Sequence, residues 1–281
     1  MFDNISLGIL NWKSIDVLVK TLDNYKEHDL FSLFGQNLIY FNSISNLDIE
    51  IANKYNLEYA GTNENLGIFY GTNALVENLK NDYILLLQND NPIANSSNIV
   101  DIINESLNLL QNKKCDIIRL RHRWNVGEKF QHVRKYLKFY NPREIDKRFI
   151  ENQHEGGVEN KLLNNKLIKF LRRNIRFLKS KNISGGSIYI EKEPEKLFPK
   201  FIQKDGNFFI ADSFVMNYTD QPILMSKSFY LYLSEYAKKH HSNRTINGLQ
   251  CIEIILNCRW WQKKHFKIGI HDEGIFTHKR L

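Results

Sequence analysis

Cysteine is scarce in this sequence, and long apolar runs are missing. Only three cysteines occur among 281 residues (Cys115, Cys251 and Cys258), an odd number without the spacing of a metal site. They predict buried or free thiols in a reducing compartment. No apolar run approaches the roughly 20 residues that span a bilayer, and the first residues lack the basic start and apolar core of a secretory signal. We therefore expect a cytoplasmic protein.

Three functional classes are disfavoured because their sequence patterns are missing. No Gly-x-Gly-x-x-Gly follows the first predicted strand, which disfavours a dinucleotide oxidoreductase. The sequence singles out no pair of facing carboxylates of the kind that a glycoside hydrolase uses. The net charge of +8 favours anionic partners such as nucleotide phosphates, nucleic acid or an anionic membrane surface. A basic nucleic-acid-binding protein fits that charge, but no helix-turn-helix, zinc or RNP-type pattern accompanies it.

Short apolar strands alternate with amphipathic helices over the first 120 residues. Apolar runs predict strands at 5–10, 38–41, 57–59, 84–87 and 115–120. Helical spacing of apolar residues predicts helices that begin after Ser14, a suitable N-cap, and that cover 48–55, 67–78 and 99–110. This alternation at short spacing predicts an α/β fold, with a parallel sheet, right-handed crossovers and flanking helices.

The strand predicted at 84–87 ends abruptly in polar residues. Its continuous apolar run is typical of a strand buried on both faces, and Gln-Asn-Asp-Asn follows at 88–91. Open α/β sheets bind ligands just outside the carboxyl ends of their strands, so these four residues are a candidate site. Asp90 is the one charge among them, and its carboxylate suits a divalent cation or a sugar hydroxyl. An ordinary polar turn is the alternative interpretation.

The segment 121–182 is much less regular and is predicted to be an insertion or lid on the sheet. Its part from 161 to 182 contains eight basic residues and no acid, with leucine and phenylalanine interleaved. Such a pattern predicts a helix that contacts an anionic membrane surface or faces phosphates. A solvated basic helix with its apolar face in the core is an equally good interpretation.

The C-terminal part is predicted to contain a strand at 187–190, helices at 229–238 and 249–261, and a final strand at 267–270. Trp260 and Trp261 offer flat faces on which sugars stack, although aromatic core packing is commoner. Arg121 and Arg123 follow a predicted strand, where they would meet a diphosphate or form surface ion pairs worth little.

The order of these parts resembles that of a family-2-type glycosyltransferase with the GT-A fold. The parts that resemble the family are Leu10-Asn11-Trp12 after the first strand, Asn65-Leu66-Gly67, Asn73 in the following helix, Asp82-Tyr83-Ile84 leading into Gln88-Asn89-Asp90, Glu253 at a helix start and His278 near the end. The resemblance covers about 1–120 and 220–281 and leaves the middle unmatched. Gln221-Pro222, Trp260-Trp261 and 274–278 bear a fainter resemblance to glycosyltransferase-like proteins of large DNA viruses.

The resemblance implies a fold and a reaction. The fold would be GT-A-like and Rossmann-like, a mixed, mainly parallel sheet in one domain over 1–281. Its parts would be a nucleotide-sugar-binding half at 1–120, the basic insertion at 121–182 and an acceptor-side half at 183–281. The reaction would move a sugar from a nucleotide-sugar, with UDP-sugars favoured, to a glycan or other acceptor hydroxyl with inversion.

The resemblance also implies roles for individual residues. Asp90 and His278 would hold Mn²⁺ or Mg²⁺, and Glu253 would be the general base, with Asp212 and Asp220 in reserve. The donor would be held by Asn11, Asn42, Ser43, Asn65, Asn73, Gln88, Asn89, Asp90 and Arg121. A histidine ligand favours Mn²⁺ over Mg²⁺. The alternative for His278 is a disordered tail, because chain termini often fray.

Two residues depart from the family pattern. Gln88 stands where the family has its first aspartate, which lowers the expected metal affinity and makes a metal-independent or inactive protein the chief alternative. Glu253 has no adjacent acid, so its assignment as base rests on position alone. The rival function is therefore a nucleotide-sugar-binding protein without turnover, and nucleic-acid binding is not expected.

Overall fold

A computed structural model describes residues 1–127, 130–145, 166–220, 222–242, 244–246 and 248–279. The first residues of the predicted basic helix, 161–165, lie outside these residues, and so does Gln221. No helix in the described ranges has both the length and the apolarity needed to cross a bilayer.

The described residues form one nine-stranded sheet with the order β3-β2-β1-β4-β8-β5-β9-β7-β6. The strands are β1 (Phe2–Asn11), β2 (Phe34–Asn42), β3 (Glu58–Thr62), β4 (Tyr83–Gln88), β5 (Ile117–Arg119), β6 (Ile202–Asp205), β7 (Phe208–Asp212), β8 (Ile223–Ser226) and β9 (Lys267–His271). β8 runs antiparallel to β4 and β5, and β7 runs antiparallel to β6 and β9. The other seven strands share one direction. The predicted mixed, mainly parallel α/β sheet is confirmed.

Helices cover both faces of this sheet. The described α-helices are α1 (Ile15–Glu27), α2 (Asn46–Lys54), α3 (Gly67–Asn78), α4 (Ile99–Gln111), α5 (Gln131–Leu137), α6 (Lys166–Ile175), α7 (Phe177–Asn182), α8 (Pro194–Leu197), α9 (Lys227–Lys239), α10 (Ile252–Leu256) and α11 (Arg259–Lys264). Two short 3₁₀ helices cover Leu30–Leu33 and Ser184–Tyr189.

The alternation of side chains along β4 explains the two cores. Ile84 and Leu86 point into one apolar cluster, and Leu85 and Leu87 point into the other. The second cluster receives side chains of α1 and α4, and the first receives those of α5 and α9. A strand between two helical layers must be apolar on both faces, which is why 84–87 is a continuous apolar run.

Two C-terminal predictions are wrong. Residues 187–190, predicted as a strand, fall mostly within the 3₁₀ helix Ser184–Tyr189. Its glycines pack too tightly for a side chain, since a Cβ on Gly186 would lie 2.6 Å from the carbonyl oxygen of His132. The helix predicted at 249–261 is two helices, α10 and α11. The first helix ends just before Asn257, whose side chain forms hydrogen bonds with the backbone nitrogen and oxygen of Tyr218 at 2.6 and 3.0 Å.

Candidate active site

The candidate site begins where β1 and β4 end side by side. Leu10 is in register with Gln88, and the backbone nitrogen of Asn89 donates to the oxygen of Leu10 at 3.2 Å. The side chains continue this pairing, because Asn89 Nδ2 donates to Asn11 Oδ1 at 2.7 Å. The polar residues after these two strands therefore lie together at the carboxyl edge of the sheet, where α/β sheets bind ligands.

A buried asparagine holds the turn that presents Asp90. Asn91 Oδ1 accepts a hydrogen bond from the backbone nitrogen of Gln88 at 2.8 Å. Tyr25 donates its hydroxyl hydrogen to the carbonyl oxygen of Asn91 at 2.6 Å, from α1. The turn that the sequence offered as an alternative is thus present, and it fixes the backbone on both sides of Asp90.

His278 contacts Asp90 directly. Its Nε2 lies 3.0 Å from Asp90 Oδ2, and the two side chains are 22% and 12% exposed. The backbone on either side of His278 is also held, because Thr277 N donates to Pro92 O at 2.9 Å and Lys279 N donates to Asp90 O at 3.0 Å. The description of His278 as a disordered tail residue is therefore wrong.

One carboxylate oxygen of Asp90 has no protein partner in the described part of the chain. Asp90 Oδ1 is buried and accepts no hydrogen bond, which is costly for a charged oxygen. A divalent cation fits this position, since it prefers oxygen ligands and tolerates an imidazole nearby. Among the described residues no group of three or more His, Cys, Asp or Glu side chains could hold a metal. A metal here would have Asp90 and His278 as its protein ligands and would need further oxygens from substrate and water.

Glu253 and Asp220 form a second pair of side chains, and both members of this pair are acids. Glu253 lies in the first turn of α10, and its Oε1 accepts a hydrogen bond from the backbone nitrogen of Asp220 at 3.1 Å. Burial raises the pKa of Asp220 well above its usual value, and the Glu253 carboxylate, a hydrogen bond with it and the charge of Asp90 add to this rise. Asp220 therefore keeps its proton more readily than an exposed aspartate does.

Arg121 is a buried cation on which both the Asp90–His278 pair and the Glu253–Asp220 pair act electrostatically. Burial lowers its pKa to about 10, while Tyr189 and the carboxylates of Glu253 and Asp90 oppose that change. Its Nε donates to the oxygen of Val126 at 2.6 Å. Arg121 forms a backbone bridge with Phe276, two residues before His278, and Leu120 N donates to Pro222 O at 2.9 Å, two residues after Asp220. Together with the Asp90–His278 and Glu253–Asp220 contacts, these bonds bring Asp90, His278, Glu253, Asp220 and Arg121 to the same edge of the sheet.

Arg123 lies close by in sequence but has a structural role. Only 1% of its side chain is exposed, and it donates to the carbonyl oxygens of Ile188 and Glu191 and to the carboxylate of Asp272. Arg121 is also buried, with 5% of the residue exposed. The interpretation of these two arginines as surface ion pairs is wrong.

Asn42 and Asn73, predicted to contact the donor, are used by the protein itself. The buried Asn42 amide donates to Gly67 O at 3.1 Å and accepts from Leu66 N at 2.8 Å, so it shapes the loop before α3. Asn73 Oδ1 accepts from the hydroxyls of Tyr230 and Ser234 at 3.0 and 2.6 Å. Asn73 therefore joins α3 to α9 inside the core, which corrects its assignment.

The remaining predicted donor residues divide into two groups. Asn65 Oδ1 accepts from the backbone nitrogen of Gly67 at 2.9 Å, so Asn65 forms the turn that was its alternative role. Asn11, Asn89 and Ser43 stay at the carboxyl ends of β1, β4 and β2. Ser43 has a φ of 80°, in the left-handed region that few L-residues adopt outside tight turns.

Asp212 lies at the opposite edge of the sheet. It ends β7, which is antiparallel, and pairs in register with Lys267 at the start of β9. Its carboxylate contacts His265 Nδ1 at 3.1 Å and Lys267 Nζ at 3.3 Å. A side chain at the amino end of β9 cannot reach the carboxyl edge, so Asp212 is removed from the catalytic candidates.

The tryptophans pack as core aromatics. Trp261 is fully buried and donates from Nε1 to Met216 O at 2.8 Å. Trp260 stacks on Tyr236 with ring centroids 3.7 Å apart. Trp261 therefore leaves no indole face for a sugar, and Tyr236 covers one face of the half-buried Trp260.

The sequence interpretation missed two cationic groups beside the site. Arg119 lies in the buried strand β5 and donates to Asn217 O, and a charged residue inside an apolar run was the available signal. Lys135, on α5, has its pKa lowered by burial, while Glu253 opposes that change. Nothing in the pattern around Lys135 indicated that it would lie close to Glu253.

Comparisons with known proteins give similarities only at the level of solved structures. No protein-family model and no curated protein matches the sequence. Residues 1–349 of S. aureus TarS match 98% of this chain and 60% of that chain, with 11% identity and a TM-score of 0.49. The same TarS fragment in complex with UDP-GlcNAc gives 98% and 58% coverage, 10% identity and a TM-score of 0.47.

A third structure shares a smaller region. The mannosyltransferase PcManGT from Pyrobaculum calidifontis, in complex with GDP-Man and Mn²⁺, matches 41% of this chain and 34% of that chain, with 10% identity and a TM-score of 0.35. The chain spans 60% of the length of the TarS fragment and 36% of the longer TarS structure. Identities of 10–11% with TM-scores below 0.5 establish no family and no activity.

Proposed function

We propose that this protein is a glycosyltransferase that moves a sugar from a nucleotide-sugar, with UDP-sugars favoured, to an acceptor hydroxyl with inversion. One observation supports it above all others: backbone and side-chain contacts bring the Asp90–His278 pair, Arg121 and the Glu253–Asp220 pair to the carboxyl edge of the sheet. Sugar transfer needs a site for a diphosphate, a base for the acceptor and a fixed geometry between them.

The donor side of the proposed site is formed by Asp90, His278 and Arg121. The unpartnered Asp90 Oδ1 and the adjacent imidazole would hold Mn²⁺ or Mg²⁺. When bound, such a cation neutralises the charge that develops on a leaving diphosphate. The buried guanidinium of Arg121 adds a fixed positive charge on the donor side, and this charge needs no rearrangement to stabilise the leaving diphosphate.

The acceptor side is formed by Glu253 and Asp220. Because Asp220 keeps its proton to higher pH, Glu253 is the member of the pair that we assign as general base. Glu253 takes the proton from the acceptor hydroxyl as the acceptor oxygen bonds to the anomeric carbon and the bond to the diphosphate breaks. A base on the face opposite the leaving group gives inversion.

Asn11, Ser43, Gln88 and Asn89 are proposed to line the nucleotide pocket. Asn11 and Gln88 end β1 and β4, and Ser43 and Asn89 follow β2 and β4, at the edge that bears Asp90. Asn42 supports this pocket from below by shaping the loop at Leu66 and Gly67. The division into a donor half at 1–120 and an acceptor half at 183–281 stays a prediction, and in this proposal His278 and Arg121 join the donor side from outside 1–120.

The rival function is nucleotide-sugar binding without turnover, and Gln88 in place of an acid favours it. A thermal-shift screen of nucleotide-sugars with and without Mn²⁺ would identify the donor, because ligands that bind only the native state raise Tm. Release of nucleoside diphosphate from that donor would then support the transferase. Saturable donor binding with no release in the presence of varied acceptors would establish the rival, and no binding of any nucleotide-sugar would overturn both.

A further inference from the structure

A cavity of about 620 Å³ lies between α5 and the helices α6 and α7, outside the site described above. Its volume is in the range of small-molecule sites. Contacts from α6 hold it in place, since Arg172 Nη1 donates to Lys138 O at 2.8 Å and Lys169 Nζ donates to Tyr140 O at 3.3 Å. These bonds connect α6 to the end of α5, so the cavity has two fixed walls.

The charged lining of this cavity has one sign. Its cationic side chains are Lys135, Lys138, Arg172, Arg176 and Lys179, and no acid is among the described residues that line it. Like charges this close repel one another, and an anion removes that repulsion. Arginine and lysine together favour a phosphate as that anion.

Apart from Gln131, the rest of the described lining is apolar. Phe139, Ile168, Leu171, Ile175 and Ile183 complete the walls, and the apolar surface continues outward on α6 and α7. Ile175 is 80% exposed and Leu178 is 68% exposed. Phosphate or a polyanionic polymer alone would gain nothing from such a wall, whereas an alkyl chain would be stabilised by burying its CH₂ groups against it.

One residue connects the cavity to the acceptor side of the proposed site. Lys135 lines the cavity. Burial lowers the pKa of Lys135, the charge of Glu253 opposes this change, and Lys179 adds to it.

We propose that this cavity binds the phosphate head and first chain carbons of an anionic lipid, and that the acceptor hydroxyl is attached to such a lipid. The lipid remains in a membrane surface against which the exposed apolar side chains of α6 and α7 lie. The statement about the acceptor rests on the proposed function, whereas lipid binding is independent of it. In transfer, the acceptor O–H loses its proton to Glu253, its oxygen bonds to the anomeric carbon, and the nucleoside diphosphate leaves.

Co-sedimentation with vesicles tests the binding directly. The full chain should bind phosphatidylcholine vesicles that contain phosphatidate and should not bind pure phosphatidylcholine vesicles. The variant Arg176→Glu/Lys179→Glu changes two exposed side chains of the cavity, so the fold should survive. Its binding should fall at least about twenty-fivefold, because each of the two lost basic residues contributes about a factor of five near an anionic surface.

The matched control is Lys20→Glu/Lys26→Glu. It makes the same change of charge at exposed positions on α1, whose apolar face joins the other core. Binding of this control within about twofold of the wild type supports a site. An equal loss in both variants would show general attraction of a basic protein and would overturn the proposal.

Soluble ligands separate a lipid from a free phosphate. Short-chain phosphatidate should raise Tm, and glycerol phosphate, inorganic phosphate and short-chain phosphatidylcholine should not. Ile175→Ser should reduce the phosphatidate effect, whereas Val100→Ser, a change at a 45% exposed position on α4, should not. An equal effect of inorganic phosphate or a polyphosphate chain would contradict a lipid site.

The two proposals fail in distinguishable ways. Lipid binding without any release of nucleoside diphosphate would leave the cavity assignment in place and remove the transferase. Transfer to a water-soluble hydroxyl with no phosphatidate binding would keep the transferase and overturn the lipid site.

Discussion

The two edges of the sheet each place an aspartate at a strand end beside a histidine, yet the two sites differ. At the amino edge, where β9 begins, Asp212 contacts His265 and Lys267 and also accepts a hydrogen bond from Phe214 N at 2.7 Å, so both of its carboxylate oxygens have partners. At the carboxyl edge, Asp90 contacts His278 through one oxygen while the other is buried without a partner among the described residues.

This difference supports the proposal that a ligand binds at the carboxyl edge of the sheet. A carboxylate that is satisfied by the protein stabilises the fold and has little left to offer a substrate. A carboxylate with an unmet oxygen, near a second acidic pair and a buried arginine, is the arrangement found where charge must be stabilised during a reaction. Five substitutions test this contrast between the edges.

The largest effect is expected for Glu253→Gln. Loss of the proposed base should lower kcat about 10²- to 10⁴-fold while donor binding stays within about twofold. Turnover assayed by nucleoside diphosphate release, with calorimetry for donor binding, checks this. Glu235→Gln on α9, where the acid is paired with Lys239 at the surface, is the control. Normal turnover of Glu253→Gln would assign the base to another residue.

Asp90→Asn should reduce transfer by about 10²- to 10³-fold, because the substituted amide keeps the shape but loses the charge that holds a cation. The loss should include the dependence of donor binding on Mn²⁺. Asp212→Asn is the matched change at the other edge and should retain near-normal turnover. Equal activity of these two variants would remove the distinction between the edges.

His278→Ala should weaken Mn²⁺-dependent donor binding by at least about 10- to 100-fold, because loss of a direct ligand should cost no less than loss of a residue that supports one. Titration of Mn²⁺ at fixed donor concentration measures it. Higher Mn²⁺ should restore part of the activity in this variant and none in Asp90→Asn. An unchanged Mn²⁺ midpoint would exclude His278 as a ligand.

Asp220→Asn should change how stability depends on pH. In the folded protein burial and Glu253 raise the pKa of Asp220. The contribution of protonated Asp220 to the free energy of unfolding is therefore fully present below the pKa of the unfolded chain, and it is lost as the pH rises through the pKa of the folded protein. The wild type should lose this contribution between acid and neutral pH, and Asp220→Asn has no such contribution to lose. The difference in the free energy of unfolding, variant minus wild type, should therefore rise by more than about 1 kcal/mol over this pH range. Parallel pH profiles in denaturant titrations would contradict the raised pKa.

The smallest effect is expected for the stability of Asp212→Asn. Loss of its charged contacts to the exposed His265 and to Lys267 should cost about 1 kcal/mol in the free energy of unfolding, with no effect on donor affinity. Denaturant titration and calorimetry measure the two quantities separately. Weaker donor binding in this variant would show that Asp212, at the amino edge of the sheet, affects the donor site.

The sequence predicts the donor half of the fold well because its strands are long, apolar and separated by regular helices. The helix at 67–78 is observed as Gly67–Asn78. The strands β6, β7 and β8 have only four or five residues each and run between glycine turns and polar segments, so periodicity gave too little signal. The break at Asn257 depends on a hydrogen bond to Tyr218, far away in sequence.

Candidate site residues could be predicted from the sequence where they lie at the ends of predicted strands. They could not be predicted where their position depends on tertiary packing. Asp90 stands at a strand end and could be found from the pattern alone. The same reasoning placed Asn73 at the donor, although it faces α9. The closeness of Lys135 to Glu253 arises from the packing of α5 against the core, and no spacing rule indicates it.

Calorimetric titration with a UDP-sugar and Mn²⁺ tests the central claim most directly when wild type, Asp90→Asn and Asp212→Asn are compared side by side. We expect saturable, Mn²⁺-dependent binding to the wild type and to Asp212→Asn, and none to Asp90→Asn. Equal binding to all three proteins, or loss of binding only in Asp212→Asn, would contradict a donor site at the carboxyl edge of the sheet.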